Sequence, residues 1–329
     1  MPIPFRSLVL ALGLLAVAPI AQAAPKRQPP SIALHGPTVT VVVGTLKEFA
    51  PNGNLVLGDV RQLRGPEPSP DLVEIPRPDR LELRIGTRYV AAFTLYRQDG
   101  VKRTVKNPLG PQLVVVDGAN PAVWKDRPEI ERIVEWKPAD SLDEVHRQLP
   151  RLLDLLGRRD ADAAAFAAAE IVLRPELLHH LDAPAQRRLA AYATDSRARA
   201  GERALTFIGA IEMPSLPART NPWPAAARTI LRQAPLRIHG RNGEDGVVLA
   251  AFRYLASQPQ RLEPTQARRW LAADDAAIVE AALDELGQAS PATARDALDA
   301  TLRRRDLPAA TRPLLEGKRR ELDAGPPRR

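Results

Sequence analysis

The hydrophobic period of this chain changes once, and that change sets what it can fold into. From Thr38 to about residue 117, apolar residues alternate or run in short bursts between turn signals; from Ser141 onward they recur three and four positions apart. A period of two belongs to strands and a period of 3.6 to helices. The chain therefore reads as an α+β protein of two domains: a small N-terminal all-β barrel or sandwich over 38–118, then an all-α domain over 141–323. Between them, 119–140 forms a linker or interdomain seam, in which Trp124 and Trp136 are expected to pack one part against the other.

Strands are predicted at 38–43, at 55–57 after the Asn52-Gly53 turn, at 81–85, at 89–96 and at 112–116. The last follows a polar excursion through Asp99, Gly100 and Asn107-Pro108. Gly65-Pro66-Glu67-Pro68-Ser69-Pro70 must be a surface loop, because proline cannot donate to a ladder. The succession of strand, Gly44, strand, Gly65, long loop, and Leu83-Arg84-Ile85-Gly86 leading into Tyr89-Val90 resembles exported bacterial domains with an OB-type barrel. It is similar to the netrin and metalloprotease-inhibitor module. A plain sandwich is the other architecture. The resemblance implies an open face for oligonucleotides or oligosaccharides, with Tyr89 and Tyr96 as candidate contacts; the other reading of Tyr89, Phe93 and Tyr96 is core.

The helical half opens at Ser141-Leu142-Asp143-Glu144, a capping box. Leu142, Val145, Leu149, Leu152, Leu153 and Leu156 follow at helical spacing, with Pro150 expected to kink or divide the segment. An Ala-rich helix is predicted over 160–173, with Ala164, Ala167, Ala168 and Ile171 on one close-packing face. Further helices are predicted over 183–193, 197–211, 222–234, 244–257, 264–271 and 274–287, then one capped by Ser290-Pro291 and one over 308–322. In Asp274–Gly287, Ile278, Ala281, Ala282 and Leu286 share a face widened by Val279 and Leu283, while Asp274, Asp275, Glu280, Asp284 and Glu285 stay polar. That stretch resembles the second helix of a HEAT repeat, and the resemblance extends in architecture over about 141–323. It implies an α-solenoid whose groove binds an extended partner.

The N-terminus predicts a destination. Arg6, an uncharged apolar run from Ser7 to Ile20, and Ala21-Gln22-Ala23 have the layout of a secretory signal peptide over 1–24, cleaved after Ala23 or Ala24. The run is shorter than the roughly 20 residues of a spanning helix, and no later segment is long and apolar enough to cross a bilayer, so no transmembrane segment is expected after cleavage. A Pro-rich, extended lead-in is expected over 25–37 and a disordered tail over 324–329. With 0 Cys the fold must rest on its core, and the Ala-, Arg- and Pro-rich composition suggests the periplasm, or secretion, of a Gram-negative bacterium.

The net charge of +8 is spread thinly: residues 25–140 carry 17 Lys and Arg against 14 Asp and Glu, and residues 141–329 carry 29 against 25. That distribution argues against a nucleic-acid partner and leaves an anionic envelope polymer as one ligand class. No nucleophile, metal or phosphate-loop signature occurs. His179-His180 point in different directions on a helix, so no shared metal and no cofactor is expected. His239-Gly240-Arg241-Asn242-Gly243-Glu244 precedes an apolar helix, where Arg241 and Asn242 are candidate ligand contacts. The Pro-flanked Trp223 either packs inward or faces a partner. The function expected is that of an exported, non-enzymatic scaffold for a protein partner in the cell envelope. The alternatives are an envelope hydrolase or carbohydrate-active enzyme with dispersed carboxylates, and a binder of anionic polymer.

Overall fold

The computed structural model describes residues 28–65, 71–78, 82–95, 111–116, 121–240, 243–259 and 261–324. The leader at 1–24, the excursion through Asp99 and Asn107, Tyr96, Arg241, Asn242 and the tail beyond Ala324 lie outside them. An antiparallel sheet comes first and a helical region follows.

The sheet contains β1 (Val39–Phe49), β2 (Leu55–Arg64), β3 (Val73–Ile75), β4 (Arg88–Leu95), β5 (Pro111–Leu113) and β6 (Val123–Lys125). Its order is β3-β2-β1-β4-β5, with β6 pairing β4 beside β5. Because β3 and β5 approach each other, the sheet curls into a nearly closed barrel. The turn between β1 and β2 is the expected Asn52-Gly53, with Gly53 at φ 82°. β1 is buried on both faces. Val42 and Leu46 point into the barrel, whereas Val39, Val41 and Val43 join the core shared with the helices. That double burial is why its sequence runs as consecutive valines instead of alternating with polar residues.

Two expectations for this half are corrected. Residues 82–84 form no strand, and Ile85-Gly86 turn instead, with Gly86 at φ 81°. The backbone there is satisfied piecemeal: Gly86 N–H donates to Leu46 O at 2.8 Å and Arg84 N–H to the Tyr89 hydroxyl at 2.9 Å. The place beside β2 goes to β3. The Pro-rich lead-in is not extended throughout, since Pro30–Leu34 forms a short helix, α1, with Pro30, Ser31, Ala33 and Leu34 buried. The seam contains β6 and α2 (Pro128–Val134), and Trp124 packs as expected, 4% exposed in the core common to the sheet and the helices.

In the helical region, Ser141 accepts from Glu144 N–H, the Glu144 carboxylate reaches back to Asp140 N–H at 3.0 Å, and α3 runs over Leu142–Leu156. Pro150 is held inside this one helix without dividing it. Next come α4 (Ala161–Leu173), α5 (Pro175–Leu178), α6 (Ala183–Thr194), α7 (Ala200–Ala210), α8 (Trp223–Gln233) and α9 (Glu244–Ala256). α10 (Pro264–Arg269) continues as a tight turn over Trp270–Ala272, before α11 (Ala276–Ala289), α12 (Pro291–Leu302) and α13 (Thr311–Ala324). α4, α7, α9 and α11 pack one on the next, and α3, α6, α8 and α10 each lie against their partner in that row. The outer helices begin at 142, 183, 223 and 264, steps of 41, 40 and 41; the inner ones begin at 161, 200, 244 and 276, steps of 39, 44 and 32. The period is thus regular in one row only.

α4 sets the spacing of the inner row. Alanine lets α7 come so close that a Cβ at Gly209 would overlap the stiff Val172 side chain. Gly209→Ala should therefore destabilise the protein by about 1–3 kcal/mol, despite alanine's better helix propensity. Denaturant titration checks this: adding Val172→Ala to Gly209→Ala should recover more stability than Val172→Ala alone would leave by simple addition of the two losses.

Candidate functional site

The sequence-derived candidates that the structure describes are interior. Tyr89 is 0% exposed inside the barrel with Phe93 and Val123. Trp223 is 1% exposed, edge-on to Phe207 with ring centroids 5.7 Å apart, and its Nε1–H donates to Gln186 Oε1 at 3.3 Å. Both rings take the inward of the two readings given for them. Each is held by its rim: the hydroxyl or indole N–H finds a partner while the ring fills a core. Tyr96, Arg241 and Asn242 fall outside the described residues. The described residues that flank Arg241 and Asn242 are tied to neighbouring helices. Ile238 and His239 N–H donate to Asp274 Oδ1 at 2.7 and 3.0 Å, and Glu244 pairs with Arg203 at 2.5 Å. At the other candidate pair, His180 stands edge-on to His146, and the Glu176 carboxylate is engaged by Arg174.

Buried charge serves the fold. Glu170 in α4 is 1% exposed; its carboxylate takes the Ser31 hydroxyl and the Ser31 N–H, the latter at 2.9 Å, and Arg174 at 3.2 Å. Burial pushes its carboxyl up from the ordinary range, and the Ser31 and Arg174 donors oppose that. Nothing in the local sequence marks Ser31 and Glu170 as partners, since they are far apart and each looks ordinary in its segment. Arginines repeatedly close helix ends. Arg203 donates to Ala193 O at the end of α6, Arg269 to Leu231 O and Ala234 O at the end of α8, and Arg312 to Leu302 O at the end of α12. Part of the basic excess is therefore internal. Glu285, expected on the solvent face, is 5% exposed with Arg261 at 3.7 Å, and burial raises its carboxyl.

Where the sheet meets the helices, the space between Trp124, α4 and α7 is only ≈ 10 Å³, beside Asp162 and Glu202. Two adjoining surface clefts share Asp154 and Arg158 and are lined by Arg132, Arg151, Arg188 and Arg197. Carboxylates interrupt them: Arg188 pairs with Asp154 at 2.9 Å, Arg197 with Asp195 at 2.8 Å, and Arg132 and Arg158 with Glu129 at 3.4 and 3.8 Å.

A concavity of ≈ 690 Å³ lies between α11, α12 and α13. The inward face of α11 buries Ile278, Val279, Ala282 and Leu286. Its next face presents Glu280, Leu283, Asp284, Gly287 and Gln288 to the groove, at spacings of three, four and one that keep them together. Leu283, Ala294 and Leu322 contribute apolar lining, and Glu280, Asp284, Glu321 and Lys318 contribute charged lining. Lys318 Nζ is 3.4 Å from Glu280 and 3.3 Å from Glu321, and those carboxylates, Glu321 first, hold the ammonium above its usual range.

Among the described residues, no group of three or more His, Asp or Glu side chains is arranged to hold a metal, and no helix is long and apolar enough to cross a membrane. The chain matches no family model, no curated protein and no solved structure.

Two consequences can be measured. Trp124, Trp223 and Trp270 are at most 4% exposed, whereas Trp136 is half-buried beside Arg132 and Arg151. Iodide should quench a minority of the tryptophan emission, and Trp136→Phe should abolish that fraction. Ser31→Ala removes a donor from a buried carboxylate and should cost about 1–3 kcal/mol in chemical denaturation.

Proposed function

We infer that the protein is an exported, non-enzymatic binding protein of the cell envelope, with a HEAT-like helical stack that presents a groove to a protein partner. The observation that carries this reading is the open groove of α11–α13, set at the end of two packed helical rows and large enough for a ligand. The outer-row steps of 41, 40 and 41 residues support a repeat of HEAT length, near 40. The sheet order, with β3 and β5 approaching, supports an OB-like, partly open barrel. With Tyr89 and Phe93 in its own interior, the barrel is read as a structural cap on the rows.

An envelope hydrolase would need carboxylates flanking a substrate-sized cavity between the two parts, and the space beside Asp162 and Glu202 is smaller than a sugar ring. A polymer binder would need an unbroken cationic stripe, and the arginine clefts are interrupted by ion pairs. Both facts favour the scaffold.

Produced with residues 1–24 in a Gram-negative host, the chain should be recovered from the periplasm with a new N-terminus at Ala24 or Pro25. Recovery of the uncleaved chain in the cytoplasm would overturn the export reading. The immobilised mature protein should retain from envelope extract a saturable protein partner that rebinds after purification. Recovery of glycan alone would overturn the scaffold reading.

A further inference from the structure

We propose that the groove between α11, α12 and α13 takes an amphipathic peptide segment that is apolar on one face and flanked by Lys or Arg. This rests on the scaffold reading and deepens it, because it assigns the site and the chemistry of the partner.

Charge makes the first argument. The chain carries +8, yet this groove sets Glu280, Asp284 and Glu321 against the single cation Lys318. Lys318 is already shared by Glu280 and Glu321, and Asp284 enters no ion pair among the described residues. The nearby Arg295 is not among the lining residues and is engaged, donating to Leu322 O at 3.2 Å and pairing with Asp323 at 3.4 Å. The closing turns of α11 and α13 bring negative dipole ends to the groove and the opening turn of α12, at Pro291 and Ala294, brings a positive one, so the side-chain carboxylates carry the charge argument. A basic segment is drawn here and repelled by the protein's positive net charge elsewhere.

Shape makes the second. Leu283, Ala294 and Leu322 line the groove with apolar surface, which a polycation without hydrophobic side chains would leave uncovered. The stretch from Glu280 to Gln288 spans about 12 Å of helix, enough for roughly two turns of a bound helix. Apolar anchors three and four positions apart, with cations at the flanks, match that outline.

Gly287 supplies a clean test. It lines the groove, and a Cβ there would meet nothing within 4 Å. Gly287→Met thus fills the groove while replacing glycine by a better helix former. The probe is a fluorescein-labelled peptide of about 12 residues with Leu at helical spacing and Lys at the flanks. Two matched peptides replace Lys by Glu, or Leu by Ser. Anisotropy titrations of the full mature protein should show the Leu/Lys peptide binding at least about tenfold more tightly than either. Gly287→Met and Asp284→Lys should each weaken it about tenfold or more, with an undiminished Tm for Gly287→Met. Glu316→Lys, on α13 but away from the groove, should weaken it far less.

Equal binding of the Leu/Lys and Leu/Glu peptides would overturn the proposal, as would full affinity in Gly287→Met. Full affinity of the Ser peptide would show simple charge attraction and overturn it too. The captured envelope partner separates this from the broader reading. If Gly287→Met captures that partner undiminished, the groove assignment falls and the scaffold stands. If no partner is captured but the peptide binds the groove, the assignment stands and the scaffold reading falls.

Discussion

The fold depends on burying α4 on all sides. Every residue from Ala163 to Val172 is buried, and the helix is packed by α1, α2, α3, α5 and α7. A helix apolar all round has no solvent face to orient it, so its neighbours fix its position. Alanine makes that enclosure feasible, because the short side chain lets helices approach and loses no rotamer freedom on burial. Glu170 is the exception within it, and its cost is offset by Ser31 from α1 and by Arg174. The lead-in is therefore pinned to the centre of the molecule. Trp124, projecting from the sheet into the same core, closes the enclosure on the barrel side.

The helices were legible from sequence because their ends are written locally. Ser141, Asp160, Asp182, Asp275 and Ser290 each accept a hydrogen bond from a first-turn amide, as residues of those types do at N-caps. The strands were legible where β-branched runs meet turns, as at Val39–Val43. They were misread at 82–85, where good alternation lost to a left-handed glycine turn and the short Val73–Ile75 took the edge of β2. Long-range pairs were invisible: neither the capture of Ser31 by Glu170 nor the burial of Glu285 beside Arg261 has a local signature.

The candidate site was legible only in part. Asp274–Gly287 announces an amphipathic helix, and its stripe of Ile278, Ala282 and Leu286 is buried. Its second face gains meaning only when α13 brings Lys318, Glu321 and Leu322 opposite. Trp223 and Tyr89 left two readings open for a physical reason: large rings with one polar atom are as well suited to a core as to an interface. The roles of individual arginines were not legible, since several of those behind the basic composition bind the carbonyls of helix ends.

α4 joins the barrel and the helical rows in one core. Native-state hydrogen exchange of the mature protein, followed in rising denaturant, tests it most directly. Amides of β1, β4 and α4 should converge on one opening free energy, with exchange in all three limited by the same global unfolding. If β1 and β4 opened together while α4 stayed protected, the barrel would be a separately folding unit and the account would be contradicted.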